Sequence, residues 1–117
     1  MAFKFESLKV WQDAMEVNDK ILLLTKNYFP KDERFILTPQ IRRAADSIVL
    51  NIAEGCTGQT NPVFKTFLGY SLRSGIEVVS CIFLARRRNY INEELFKEIY
   101  TDIEVLSKRI TALRNTL

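Results

Sequence analysis

Four stretches of the chain repeat apolar residues at spacings of three and four, the period of an α-helix with one buried side. In the first, residues 8–28, Val10, Ala14, Val17, Ile21, Leu24 and Tyr28 share one face, while Leu8, Trp11, Met15, Leu22 and Phe29 share a second. Gln12, Asp13, Glu16, Asp19 and Lys20 are left for water. The two stripes cover roughly half of the helix circumference, more than one neighbouring helix would use. Pro30 interrupts the pattern. It resumes at Thr38, placed to cap a helix with Pro39 at its first position. This second helix runs to Glu54 on a core stripe of Ile41, Ala44, Ala45, Ile48 and Ile52, and Gly55 suits the left-handed residue just past a helix end.

Asn61 and Pro62 repeat the cap-and-proline start after the turn Gly-Cys-Thr-Gly-Gln-Thr. The third helix extends to about Arg88 and is expected to bury Phe64, Phe67, Leu68, Ser71, Leu72, Gly75, Val79 and Ile82. Gly69, Ser71, Ser74 and Gly75 thin its middle, which predicts close packing there. Asn92 is placed to cap the fourth helix, with Glu93 and Glu94 in the first turn where the helix dipole favours negative charge. Ile99, Ile103, Leu106, Ile110, Leu113 and Leu117 then keep a clean four-three alternation. No segment alternates with the period of a strand. The pattern therefore predicts one all-α domain over residues 1–117, an antiparallel up-down-up-down four-helix bundle with short connections. The second stripe of the first helix, unused inside one bundle, predicts a homo-oligomer.

The second helix also carries a polar line. Gln40, Arg43, Ser47, Asn51 and Glu54 recur at three and four, an arc of roughly 80° beside the apolar stripe. Two readings are open: a ligand site, or a hydrogen-bonded polar seam that fixes helix register or subunit contact, with Glu77 available as a partner for Arg43. The seam is the preferred one. Glu54 and Glu77 are the inward carboxylates that a carboxylate-only metal or acid-base site would need. The chain has no histidine and two distant cysteines, Cys56 and Cys81, so neither a zinc site nor a Ser/His arrangement can be assembled. The glycine turn lacks the Lys-Ser/Thr ending of a phosphate loop and follows a helix instead of a strand. No metal, no cofactor and no enzymatic activity are expected.

Composition adds a mild basic bias. Seventeen Lys and Arg against fourteen Asp and Glu leave a formal charge of +3, with 47% hydrophobic and 26% charged residues. Basic residues gather at Arg42 and Arg43, at Arg86, Arg87 and Arg88, and at Lys108, Arg109 and Arg114. Phosphate attraction is available, though basic residues at helix ends also suit the dipole there. Free thiols, the lack of a secretory pattern at the N-terminus and the lack of an apolar run near the roughly 20 residues of a membrane span predict a cytoplasmic protein outside the membrane.

The segments Val-Trp-Gln-Asp-Ala-Met from Val10, Phe29 to Gly55, and the Asn-Tyr-Ile at 89–91 resemble the bacterial four-helix-bundle family known as ribosomal RNA intervening-sequence proteins, also called ribosomal protein homologues. Within residues 29–55, Pro30, Glu33, Arg34, Leu37, Gln40, Arg42, Arg43, Ala44, Ser47, Ile48, Asn51, Ile52, Ala53, Glu54 and Gly55 carry the likeness. The resemblance implies a homopentameric bundle, encoded in some bacteria inside insertions of large-subunit ribosomal RNA genes, with RNA or other nucleic-acid binding as the suggested role and no assigned enzymatic activity. Two regions depart from the family pattern. In the loop Gly58 stands where an arginine is usual and Val63 where a glutamate is usual, so the loop has lost a positive charge. In the third helix Arg73, Ser74 and Gly75 replace the usual Gly-Ser-Leu before Glu77 at the matching acidic position, which alters local packing. The resulting expectation is a homo-oligomeric bundle that binds RNA or DNA electrostatically through Arg42, Arg86, Arg87 and Arg88. A protein-interaction scaffold without nucleic-acid contact is the alternative.

Overall fold

The register between helices is set by a few cross-helix bonds. The computed structural model describes residues 2–58 and 60–117 and contains α1 (Lys9–Tyr28), α2 (Leu37–Cys56), α3 (Asn61–Arg87) and α4 (Glu93–Asn115), with short 3₁₀ turns at Lys4–Ser7 and Lys31–Glu33. Asn18 on α1 bonds to Asp46 on α2, and Thr25, one end further along, to Arg42. Ser74 and Ser71 of α3 reach Ser47 and Ile48 of α2. Arg86 meets Glu93 at one end of the α3–α4 pair, and Arg114 meets Lys65 at the other. Asp13 pairs with Arg109 at 2.7 Å and Lys20 with Asp102 at 2.7 Å, closing α4 onto α1. In every pair one helix advances as its neighbour recedes, so the four form an antiparallel up-down-up-down bundle measuring 43 × 23 × 21 Å.

The stripes meet on the bundle axis. Ile21, Ile41, Ile48, Ile52, Leu68, Val78, Ile82, Ile99 and Ile110 are fully buried, each aliphatic side chain contributing about 1.5–3 kcal/mol of transfer free energy. Val78, Cys81 and Ala85 occupy core positions of α3, whereas Phe64, Phe67, Leu72 and Val79, expected inside, are half-buried. The tightest approach is not at the thin middle of α3. A Cβ on Gly55 would lie 2.5 Å from the Phe67 Cβ, while one on Gly75 would meet α4 atoms no closer than 3.5 Å. Gly55 is thus a buried helical residue that lets α3 come close, not the left-handed stop expected of it. That conformation falls to Gly58, with φ of 64°. Position 59 of the same turn lies outside the described residues.

The caps show both agreement and correction. Asn92 Oδ1 accepts from the Leu95 amide at 2.8 Å, as its place before Glu93 and Glu94 predicts. For α3 the cap is Thr60 and not Asn61. Thr38 caps nothing: α2 already begins at Leu37, whose amide donates to the Glu33 carboxylate at 3.4 Å. A carboxylate four residues away has taken the role of the capping hydroxyl.

Two apolar surfaces remain uncovered. Along the groove between α1 and α2 lie Met15 and Leu50, with Leu22 exposed further along α1; Leu23 instead lines the groove between α1 and α4. Between α3 and α4, Ile76 and Tyr100 are exposed, with Phe83 nearby. Because α1 and α2, α2 and α3, α3 and α4, and α4 and α1 are the neighbouring pairs, these grooves lie on opposite sides of the bundle. α3 has the length and apolar composition of a membrane span, although charged residues interrupt its apolar run. Its Leu68, Ser71, Ser74, Gly75 and Val78 are buried, and the helix also carries Arg73 and Glu77.

Candidate nucleic-acid interface

An up-down-up-down path puts the end of α1, the start of α2, the end of α3 and the start of α4 at one pole. Arg34, Arg42, Arg43, Arg86, Arg87 and Arg88, six of the nine arginines in the chain, fall in these segments. Arg42 is half-buried: its Nε donates to Thr25 Oγ1 at 2.8 Å, which fixes the guanidinium against α1 and leaves its terminal nitrogens for other partners. Arg86 donates to both oxygens of Glu93 at 3.0 and 3.1 Å and lies 3.7 Å above the Phe96 ring. Arg43 and Arg87 are exposed and form no ion pair among the described residues.

Arg88 is tied to a buried carboxylate. Its Nη1 donates to Glu33 Oε2 at 2.9 Å, and Tyr90 donates its hydroxyl to the same oxygen at 2.6 Å. Asn89, between them, adopts a left-handed φ of 63°, a conformation asparagine tolerates, and so lets both neighbours turn toward Glu33. The Tyr90 hydroxyl holds the Glu33 carboxyl below its ordinary value; burial opposes this, and the Leu37 amide and Arg88 reinforce it. The same bond raises the Tyr90 hydroxyl. Arg86 and Arg88 therefore spend part of their charge inside the protein, whereas Arg87 does not.

A groove of about 270 Å³ opens beside this pole, lined by Arg34, Thr38, Pro39, Arg42, Arg43 and Asp46. Asp46 accepts from Asn18 Nδ2 at 2.8 Å. Arg34 also lies 5.0 Å from the centre of the Phe35 ring. Neither Arg34 nor Phe35 stood out as a site residue in the sequence; a solvent-facing phenylalanine beside an arginine in the segment after Pro30 was the available signal.

The polar line of α2 divides. Asn51 Nδ2 donates to Ser47 Oγ and Ser74 Oγ bonds the same hydroxyl, both at 2.9 Å, while Ser71 Oγ donates to the Ile48 carbonyl at 2.9 Å. Gln40 donates its side-chain amide to Glu77. Arg43 and Glu54 are instead exposed, because the arc is wider than the strip covered by α3. Glu54 is not an inward group. Since Gln40 faces Glu77, and Glu54 follows Gln40 by almost four turns, the two glutamates stand roughly 20 Å apart along the helix axis and cannot share a metal. Both cysteines are buried, and burial with the charge of Glu77 pushes the Cys81 thiol up to about 11.

The Lys108–Arg114 region does not join the pole. Arg109 is paired with Asp13, and Arg114 Nε donates to the Lys65 carbonyl at 3.2 Å at the opposite end.

Comparison with known proteins places this bundle in a family. The chain is similar to a crystal structure from Bacteroides thetaiotaomicron, described as a protein of unknown function from the S23 ribosomal protein family, with a TM-score of 0.82 and 26% identity over 90% of this chain and 97% of that one. No curated protein matches. The family model described as 23S rRNA-intervening sequence protein matches residues 6–112, nearly the whole bundle, and the chain belongs to that family.

Proposed function

We propose that this protein is a non-enzymatic, cytoplasmic homo-oligomer that binds RNA or DNA through phosphate, using Arg42, Arg86, Arg87 and Arg88. The observation that carries this reading is the convergence of six arginines, distant in sequence, on one pole of the bundle. Guanidinium groups match phosphate geometry and stay charged at any physiological pH. Contacts to phosphate carry no base sequence, so binding through them is electrostatic and falls as salt displaces the contacts.

Assembly multiplies the effect. The opposite apolar grooves, one holding Leu50 and the other Ile76, suit a head-to-tail contact that closes into a ring. The family resemblance implies five copies, which would bring five arginine poles into one particle.

Light scattering during size exclusion, with and without a short structured RNA, tests both parts. The expected particle has about five times the 13.6 kDa mass of one chain, gains RNA mass at low salt and releases it as salt rises. A particle that ignores RNA at low salt overturns the nucleic-acid reading and leaves a protein partner for the exposed surfaces.

A further inference from the structure

We propose that Phe35 and the adjoining Arg34–Arg42–Arg43 groove form a subsite for single-stranded nucleic acid, in which Phe35 stacks on an unpaired base while the arginines hold the neighbouring phosphate. This rests on the phosphate-binding reading above and adds a strand preference to it.

Phe35 is 80% exposed and Ile36 66% exposed, so neither serves the core. They nevertheless sit on hydrogen-bonded backbone. The Ile36 amide donates to the Glu33 carbonyl at 3.0 Å and the Arg34 amide to the Lys31 carbonyl at 3.1 Å. The Glu33 side chain is itself clamped by Tyr90, Arg88 and the Leu37 amide. An aromatic ring presented this way needs little further ordering to receive a flat partner. Arg34 belongs to both halves of the subsite, since it touches the Phe35 ring and lines the groove. Arg42 is preset by Thr25, and Arg43 reaches the same groove without an internal ion pair among the described residues.

The chemistry selects the strand. Bases inside a duplex are already stacked on one another and present only their edges, whereas an unpaired base offers a face to an exposed ring. Stacking on an aromatic side chain tolerates any base, so the subsite distinguishes single from double strands without reading sequence. The single acidic group of the groove, Asp46, is engaged by Asn18.

Fluorescence anisotropy with a labelled, unstructured RNA of about ten nucleotides, and with the same strand in a duplex, tests the inference. Phe35→Ala should weaken single-strand binding about tenfold and leave duplex binding unchanged, and Phe35→Trp should keep the single-strand affinity. Particle mass by light scattering should be the same in all three proteins. Equal binding of the two RNA forms by the wild type, or an unaffected Phe35→Ala variant, overturns the subsite while leaving phosphate binding in place. Failure of the wild type to bind either form removes the phosphate reading and the subsite with it. A smaller particle for Phe35→Ala assigns the ring to a contact between copies and also overturns the subsite.

Discussion

Tyr90 donates its hydroxyl to Glu33 at 2.6 Å, joining the connection after α3 to the connection before α2 across the arginine pole. Arg88 and the Leu37 amide converge on the same carboxylate, so one side chain caps a helix, anchors an arginine and fixes a turn. The carboxylate is held below its ordinary value of 4.5, first by the tyrosine hydroxyl. A depressed folded value means that the stabilisation is fully present above about 4.5 and is lost as pH falls through the folded value. Tyr90→Phe should therefore destabilise at neutral pH and matter less at an acid pH low enough to protonate Glu33 in the folded protein. Removing the charge by Glu33→Gln should cost about 2 kcal/mol at neutral pH. Thermal unfolding followed by circular dichroism at both pH values checks this; equal effects of Tyr90→Phe at the two would show that the bond does not depend on the carboxylate charge.

Gly55 and Gly58 separate two reasons for a glycine. Added to Gly55, a methyl would press on Phe67, and Gly55→Ala should destabilise by about 1–3 kcal/mol even though alanine favours a helix by about 1 kcal/mol. At Gly58 there is open space but a left-handed backbone, so Gly58→Ala should cost about 1 kcal/mol from strain alone. Urea unfolding of the two variants distinguishes them further. A second-site Phe67→Gly change, which removes the Cβ that a methyl at position 55 would strike, should make Gly55→Ala less costly than it is beside Phe67 and leave the cost of Gly58→Ala unchanged. Absence of that rescue would place the strain elsewhere.

The residue pattern revealed the bundle because each helix buries a stripe with the helical period. The buried Ile99, Ile103, Leu106 and Ile110 follow the repeat without exception. Periodicity fixes angles around one axis, however, and does not give the height at which another helix passes. That is why Glu54 and Glu77 look like a pair in sequence and stand far apart in space. It is also why the polar line of α2 could not be divided in advance into Ser47 and Asn51, which meet α3, and Arg43 and Glu54, which face water. Gly55 is ambiguous in sequence for a related reason: a glycine near a helix end serves a turn or a close neighbour, and only the position of Phe67 decides. The arginine pole was partly visible as two runs, but the Arg34–Phe35 pair emerges only once the loop is held by Glu33.

A head-to-tail contact gives a distinctive mutant pattern. Leu50 lies on the α1–α2 groove and Ile76 on the opposite one, so Leu50→Glu and Ile76→Glu should each damage every contact in a ring and reduce the particle toward the 13.6 kDa chain. Helicity should persist, since both side chains are exposed. Mixing the two variants restores one undamaged pair of faces, so the mixture should form a dimer that neither forms alone. Light scattering reads all three samples. A contact that joined identical faces would respond to only one substitution and would not be rescued by mixing.

The arginines are not equivalent, and their internal bonds predict the order of their effects. Arg87 and Arg43 have no ion pair among the described residues, so Arg87→Glu and Arg43→Glu should weaken RNA binding while leaving the unfolding temperature nearly unchanged. Each lost phosphate contact should also flatten the dependence of log affinity on log salt by about 1. Arg88→Glu is different, because it sets a second carboxylate against Glu33 and breaks the clamp on Tyr90. It should lose stability as well as affinity. Arg86→Glu likewise faces Glu93 and gives up its place over Phe96. Binding titrations across a salt series, paired with thermal unfolding of each variant, separate loss of phosphate contacts from loss of structure. If Arg87→Glu and Arg43→Glu keep both the affinity and the salt slope of the wild type, phosphate does not bind at this pole.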